Sequence, residues 1–157
     1  LYALTKGQAS PTTPLGEKTR LQFDGVVEEP LNPLALAIVM NCSFVAMVFA
    51  GDLPHLAELI SAGIKHKGFA LIDIIQPCIS FGKRMVPYYK DRVYKLGADY
   101  NPRDRDAALK KAFERGDKIP LGVLYVNERP VFPEEEKNLT GQTVDKKVLA
   151  ELIETFG

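Results

Sequence analysis

The sequence contains little cysteine, no tryptophan, no excess of either charge and no long apolar run. Two cysteines among 157 residues are too few for a disulfide framework and do not form a CxxC pair, so we expect a cytoplasmic protein in a reducing environment. Twenty basic side chains balance twenty acidic ones, which leaves no net field for nucleic acid or an anionic membrane. Apolar runs such as 34–40 are far shorter than the roughly 18 residues of a membrane-spanning helix. We therefore predict no nucleic-acid partner and no membrane partner.

The remaining composition is ordinary for a globular domain. Hydrophobic residues make up 46% of the chain and charged residues 25%. A length of 157 residues fits one domain with its own core. The chain starts at Leu1 without a charged-then-apolar signal segment, so we expect 1–157 to be a single domain that is a fragment of a larger one.

A strand–helix–strand unit is predicted over residues 43–75. The apolar runs 43–50 and 69–75 are typical of strands covered on both faces. Between them, Asp52 is placed to cap a helix and Gly68 to end it. Because such a unit places its two strands side by side in the same direction, we predict a parallel sheet.

Helix start signals recur along the rest of the chain. Asn32 and Pro33 form one, and Asp104 forms another. Together with the strand–helix–strand unit they predict an α/β fold, with a parallel sheet and helices on both faces. The further predicted elements are helices over 34–40, 85–96, 105–115 and 144–156 and a third strand over 121–126.

The opening stretch, 1–13, is a polar loop ahead of these elements, and 14–30 continues as irregular chain. Lys6 is either a ligand for a carboxylate or phosphate, with Gly7 allowing close backbone approach, or an exposed loop lysine. Since long irregular loops in compact domains are often functional, we treat 1–30 as a candidate site loop. Its other polar groups serve either a ligand or the turns around its prolines; they are Thr5, Gln8, Ser10, Thr12 and Thr13.

Three residues in or beside the predicted strands have open roles. Cys78 follows a proline at a strand end, so its thiol either faces a cleft or is a buried, inert side chain. Asp73 interrupts an apolar strand and either caps a neighbouring loop or lines a site. Cys42 is most simply a small core residue.

No complete catalytic or metal motif is present. His55 and His66 are expected at the surface and do not form a metal pair. Lys83 and Arg84 either bind an anion or form a solvated basic pair. Residues 16–19 lack the spaced glycines and preceding strand of a P-loop, and there is no Ser/His/Asp or HExxH arrangement.

Several long segments, in one order, resemble a known family. They resemble the C-terminal half of the thiamine-diphosphate-binding beta subunit of 2-oxoacid:ferredoxin oxidoreductases. The likeness is much more specific than a short motif, because it extends from residue 2 to about residue 108. The segments are YALTKGQASPTTPLGEKT, EEPLNPLALA, FVAMVFAGDLPHLAELI, HKGFALIDIIQPC, YYKDRVYKL and NPRDRDAAL.

The resemblance implies a thiamine-diphosphate-binding fold, of which this chain would form the C-terminal part. By position, the backbone carbonyl of Leu1 would be a magnesium ligand, and Leu4 and Thr5 would lie beside the diphosphate. Gly7 and Gln8 match the segment that approaches the thiazolium. In the family, a Gly-Asp-Gly-Asp segment and an asparagine supply the other magnesium ligands ahead of this loop. We therefore expect the isolated chain to bind the cofactor weakly.

Two further residues carry implied roles. Lys6 would pair with the carboxylate of the substrate. Cys78 matches the last ligand of a 4Fe-4S cluster, whose other three cysteines lie far upstream in the family pattern.

The implied reaction is oxidative decarboxylation of a 2-oxoacid to acyl-CoA, with electrons passed to ferredoxin. The implied partners are an alpha subunit, ferredoxin, coenzyme A and the 2-oxoacid. Two other hypotheses stay open at this point: a structural or interface domain without catalysis, and a thiamine-diphosphate enzyme that is not linked to ferredoxin.

Overall fold

The described part of the chain forms a four-stranded mixed sheet with helices on both faces, preceded by an irregular loop. The computed structural model describes residues 7–77, 86–130 and 154. The strand order is β2-β1-β4-β3. The elements, in chain order, are α1 (Pro33–Val39), β1 (Phe44–Phe49), α2 (Leu53–Lys65), β2 (Ala70–Ile75), α3 (Val86–Lys90), β3 (Val93–Lys95), α4 (Arg105–Ala112) and β4 (Ile119–Val126).

The predicted strand–helix–strand unit is confirmed, but the prediction that both strands are covered on both faces is wrong for β2, none of whose six residues is buried. β1 and β2 pair in parallel, from Phe44 opposite Ala70 to Phe49 opposite Ile75. α2 connects them, and the side chain of Asp52 caps it by accepting a hydrogen bond from a backbone amide of its first turn. Local signals were sufficient here because the cap, the turn and both apolar runs lie within one short stretch of chain.

The α/β class is confirmed, and the sheet is mixed rather than wholly parallel. β3 and β4 form a second parallel pair, connected by α4. β4 lies antiparallel to β1, with a register shift at Val45 and Ala46. An apolar run fits either direction of pairing, so the run at 121–126 identified a strand without fixing its direction.

The predicted helix over 85–96 is wrong. The chain forms only the short helix α3, turns, and enters β3. The guanidinium of Arg92 closes this turn by donating to the carbonyl oxygen of Tyr88 (2.9 Å) and lying over its ring. The amide of Ile119 donates to the carbonyl oxygen of Arg92 (2.9 Å), which starts the pairing with β4. This long-range pairing overrides the local helical pattern.

The other helices begin where their caps predict. Asn32 caps α1, and Asp104 caps α4 by accepting from two backbone amides. α4 ends at Ala112, three residues before its predicted end. Of the predicted helix over 144–156, only Glu154 belongs to the described residues, and it is helical.

The core lies on both faces of β1, whose six residues are all buried. Alternate side chains point to opposite faces of a strand, so β1 serves two layers. One face packs against α1 and α4, and the other packs against α2 through Leu59. The predicted placement of helices on both faces is therefore confirmed. Among the described residues, no helix combines the length and apolar character needed to cross a membrane.

Leu124 tests this layered core. Its side chain is 0% exposed, so Leu124→Ala should lower the free energy of unfolding by about 2–5 kcal/mol through lost burial and a residual cavity. The matched control is Leu36→Ala, at a side chain that is 50% exposed, where we expect a change within about 0.5 kcal/mol. Urea unfolding measures both. Equal effects for the two variants would contradict the packing described.

Candidate functional site

The described part of the opening loop, 7–13, is folded by its own hydroxyl groups. The amide of Ser10 donates to Oγ1 of Thr13 (2.8 Å), and the amide of Thr13 donates to the carbonyl oxygen of Ser10 (3.0 Å). The hydroxyls of Ser10 and Thr12 are 2.9 Å apart. These groups therefore form a turn, as the turn interpretation of these residues predicted. The loop has a defined backbone although it contains no helix or strand.

Gly7 is buried at the start of this loop with a φ of +106°, a conformation that favours glycine. A Cβ atom on Gly7 would lie 2.9 Å from Cδ of Arg20. The backbone amide of Arg20 also donates to the carbonyl oxygen of Gly7 (3.2 Å). Another part of this chain thus approaches Gly7 closely, and the predicted approach of a ligand to Gly7 stays a prediction. Gln8, the next residue, is half-buried.

Several residues assigned from the sequence lie outside the described part of the chain. They are Leu1, Leu4, Thr5, Lys6, Cys78, Lys83 and Arg84. The structure therefore describes two of the loop residues assigned to the cofactor, Gly7 and Gln8.

The carboxyl ends of β1 and β2 lie together, since the amide of Ala50 donates to the carbonyl oxygen of Ile75 (2.9 Å). Asp73, within β2, forms an ion pair with Arg115, which follows α4 (3.1 Å). Both side chains are about one-third exposed. This pairing, rather than a loop cap, accounts for a carboxylate in an apolar strand.

The expectation that both histidines lie at the surface is wrong. His55 is 8% exposed, because it lies four residues before the buried Leu59 on the face of α2 that meets the sheet. His66 is half-buried, with Nε2 3.0 Å from Oγ of Ser43.

Cys42 is buried and its thiol donates to two backbone carbonyls, which confirms that it is a core residue.

A cavity of about 630 Å³ opens at the carboxyl end of β1. Its walls are mostly apolar and its volume is in the range of small-molecule sites. Nζ of Lys95 and a carboxylate oxygen of Asp52, both lining residues, are 2.9 Å apart. That hydrogen bond, followed by one from the backbone amide of His55, holds the pKa of Asp52 below its usual value. The other lining residues are Phe49, Gly51, Leu53, Pro54, Val86, Lys90, Val93, Tyr94 and Leu121.

Tyr94, which lines this cavity, also belongs to a three-residue polar cluster that sequence reasoning missed. The Tyr94 hydroxyl donates to Glu114, and Nζ of Lys111 donates to both the Tyr94 oxygen and Glu114 (2.8 Å each). Burial and the bond to Glu114 raise the pKa of Tyr94. Burial opposes ionisation of Glu114, but the bonds from Lys111 and Tyr94 outweigh it and lower the Glu114 pKa. The cluster joins β3 to the C-terminal end of α4. Sequence reasoning missed it because Tyr94 was assigned to the predicted helix over 85–96 and not to a strand.

Two family models together match residues 1–140 almost without a gap. One, thiamine pyrophosphate enzyme, C-terminal TPP binding domain, matches residues 1–74. The other describes the C-terminal region of the pyruvate ferredoxin oxidoreductase beta subunit and matches residues 78–140. The chain belongs to the 2-oxoacid:ferredoxin oxidoreductase beta-subunit family. The resemblance identified from the sequence is therefore confirmed.

Relatives in this beta-subunit family agree. A 2-oxoacid:ferredoxin oxidoreductase beta subunit of Aeropyrum pernix is 44% identical over 139 residues, which is 81% of this chain and 44% of that protein. The beta subunit from Saccharolobus solfataricus is 43% identical, covering 82% of this chain and 46% of that protein. The chain thus spans about half the length of the curated relatives it matches.

A solved structure shares the fold. It is a 2-oxoglutarate:ferredoxin oxidoreductase from Magnetococcus marinus, with 2-oxoglutarate, coenzyme A and succinyl-CoA bound. It superposes with a TM-score of 0.83 at 33% identity, over 94% of this chain and 53% of that one. The mixed sheet and its helices are therefore those of the family.

The Tyr94–Lys111–Glu114 cluster predicts a pH dependence. Folding lowers the Glu114 pKa from its usual 4.5, so its contribution to stability is complete above pH 4.5 and is lost as the pH falls through the lowered value. Folding raises the Lys111 pKa from its usual 10.5, so that contribution is complete below pH 10.5 and is lost above it. The stability difference between the wild type and Glu114→Gln should therefore be greatest between about pH 5 and 10.

Chemical unfolding at pH 3.5 and pH 7 tests this dependence. The matched control is Glu128→Gln, which removes an ion pair to Arg103 whose side chains are 72% and 69% exposed and which should contribute little at either pH. A Glu114→Gln effect that is the same at both pH values would refute the coupling.

Proposed function

We propose that this chain forms the C-terminal part of the thiamine-diphosphate site in a 2-oxoacid:ferredoxin oxidoreductase. The whole enzyme would convert a 2-oxoacid and coenzyme A into acyl-CoA and carbon dioxide, and pass the electrons to ferredoxin. The observation that carries this proposal is the match of two consecutive family models, in the expected order, to a chain with the fold of a 2-oxoglutarate:ferredoxin oxidoreductase.

The opening loop is proposed to contact cofactor and substrate. Leu4 and Thr5 would lie beside the diphosphate, and Gly7 and Gln8 beside the thiazolium. The described part of the loop supports this fit, because its backbone is fixed by hydrogen bonds and the half-buried Gln8 carries an amide donor. A fixed loop can orient a cofactor without an entropic cost at each binding event.

Lys6 is proposed to bind the substrate carboxylate. An ammonium group placed there would hold the 2-oxoacid with its keto carbon towards the cofactor. Thiamine diphosphate, when bound, supplies the electron sink for loss of carbon dioxide. The chain contributes charge, orientation and exclusion of water.

The magnesium ion and the 4Fe-4S cluster need ligands beyond those that the structure describes. In the described ranges, no group of three or more His, Cys, Asp or Glu side chains is placed to hold a metal ion. We propose that the Leu1 carbonyl is one magnesium ligand and Cys78 one cluster ligand, and that other segments of the enzyme supply the rest.

The partners follow from the same family assignment. We propose an alpha subunit, ferredoxin, coenzyme A and a 2-oxoacid as partners, and a cytoplasmic location. We also propose that residues 1–157 work as a fragment of a larger thiamine-diphosphate-binding domain. The shared fold with an enzyme that has coenzyme A and 2-oxoglutarate bound supports the substrate class.

Lys6→Ala tests the substrate role. In the complete enzyme, reduction of a low-potential dye should require a 2-oxoacid, coenzyme A and thiamine diphosphate. Loss of a charged hydrogen bond should raise the KM for the 2-oxoacid about 10- to 100-fold. Lys18→Ala, at an exposed lysine of the same loop region, is the control and should leave the KM unchanged. An unchanged KM in Lys6→Ala would refute the assignment of Lys6 to the substrate carboxylate. In the wild-type enzyme, thiamine-dependent turnover without reduction of the dye or of ferredoxin would indicate an enzyme that is not linked to ferredoxin.

Cys78→Ala tests the cluster role, with Cys42→Ala as the matched control. In the complete enzyme, Cys78→Ala should lower iron and sulfide content and the visible absorption of the cluster. Cys42→Ala should keep them, because the Cys42 thiol donates to backbone carbonyls in the core. Equal iron content in both variants would refute Cys78 as a ligand.

A further inference from the structure

A second stretch of the irregular region lies against the opening loop at several points. The turn formed by residues 19–22 is here called the clamp. Its Arg20 amide donates to the carbonyl oxygen of Gly7 (3.2 Å), and Oε1 of Gln22 accepts from the amide of Ala9 (3.3 Å). These two hydrogen bonds hold the backbone on either side of Gln8.

The side chain of Arg20 adds a packing contact to these bonds. A Cβ atom on Gly7 would lie 2.9, 3.1 and 3.4 Å from Cδ, Cγ and Cβ of Arg20, so the aliphatic stem lies directly over Gly7. Gly7 is buried beneath it. The φ of +106° at Gly7 favours glycine, and a side chain at this position would displace the Arg20 stem. The stem, rather than the charge, makes the contact.

The clamp is itself held in shape. Oγ1 of Thr19 accepts from the amide of Gln22 (3.1 Å), and its hydroxyl donates to Oε1 of Gln22. The chain on either side of the clamp is also joined: the amide of Gly16 donates to the carbonyl oxygen of Val26 (2.7 Å), and the amide of Val26 donates to the carbonyl oxygen of Glu17 (3.1 Å). A turn that is fixed by hydrogen bonds within it and beside it can hold a neighbouring segment in one position.

We propose that the clamp positions the 7–9 backbone for the 2-oxoacid and thiamine diphosphate, with Arg20 and Gln22 as positioning residues. This inference rests on the proposed function, because it assigns the clamp to the part of the proposed site that Gly7 and Gln8 form. The clamp acts through the loop: it restricts the backbone that presents these groups. Loosening it should weaken 2-oxoacid binding more than it slows turnover of bound substrate.

The variants separate packing from charge and from hydrogen bonding. Arg20→Ala removes the stem above Gly7, whereas Arg20→Met keeps a stem of similar length without the charge. Gln22→Leu removes the acceptor for the Ala9 amide, whereas Gln22→Glu keeps it. Phe23→Leu, at an exposed side chain just after the clamp, is the control.

Steady-state kinetics of the complete enzyme, normalised to bound thiamine diphosphate, is the first measurement. Arg20→Ala and Gln22→Leu should each raise the KM for the 2-oxoacid about fivefold, with kcat within about twofold of wild type. Arg20→Met, Gln22→Glu and Phe23→Leu should retain the wild-type KM. An Arg20→Met variant as impaired as Arg20→Ala would overturn the positioning role for Arg20 and indicate a direct role of its charge.

Hydrogen–deuterium exchange of the same enzymes, resolved to the Ala9 amide, is the second measurement and does not depend on activity. Gln22→Leu should speed this exchange and Gln22→Glu should not. Unchanged exchange in Gln22→Leu would contradict the claim that the clamp holds the backbone at Ala9, whatever the kinetics show. Faster exchange with an unchanged KM would overturn its role in positioning. A wild-type enzyme inactive on every 2-oxoacid, with exchange as expected, would refute the proposed function and with it this assignment of the clamp.

Discussion

The double burial of β1 is the constraint on which the rest of the structure depends. All six of its residues are buried, and both of its edges are paired, in parallel with β2 and antiparallel with β4. One face carries α1 and α4, and the other carries α2. Each peptide group of such a strand must be hydrogen-bonded and each side chain must fit a packed layer, so few alternative arrangements of the neighbours are possible. The ends of β1 thereby acquire fixed positions, and the cavity at its carboxyl end lies beside them.

The opening loop is fixed by local hydrogen bonds and contacts, and not by strand pairing. Its described residues, 7–13, contain no strand or helix, and their backbone is held by hydroxyl turns, one buried glycine and contacts from a neighbouring turn. The amide of Leu31, just before α1, also donates to the carbonyl oxygen of Pro11 (2.7 Å), which ties the loop to the start of the packed domain. Such a loop can expose polar groups to a ligand while its backbone stays ordered, which regular secondary structure would not allow in the same place.

The parts of the fold that sequence reasoning predicted correctly are those with local causes. The β1–α2–β2 unit and its Asp52 cap follow from residues within one stretch, and the turn role of Ser10 and Thr13 follows from neighbours three positions apart. The antiparallel join of β1 to β4 and the strand β3 depend on pairings between distant segments, which an apolar run does not specify. The candidate site divides in the same way. Gly7 and Gln8 were assigned to the cofactor through the resemblance, and this assignment stays a prediction. The contact of Arg20 with Gly7 has no signature in either stretch alone.

The central claim is that the ammonium group of Lys6, in the opening loop, binds the carboxylate of a 2-oxoacid beside thiamine diphosphate. The measurement that tests it most directly is a cryo-electron microscopy structure of the complete enzyme with thiamine diphosphate and a slowly reacting 2-oxoacid analogue. Nζ of Lys6 is predicted to lie about 3 Å from a carboxylate oxygen of the analogue, at hydrogen-bonding distance. A bound analogue whose carboxylate is held elsewhere, out of contact with Lys6, would contradict the account.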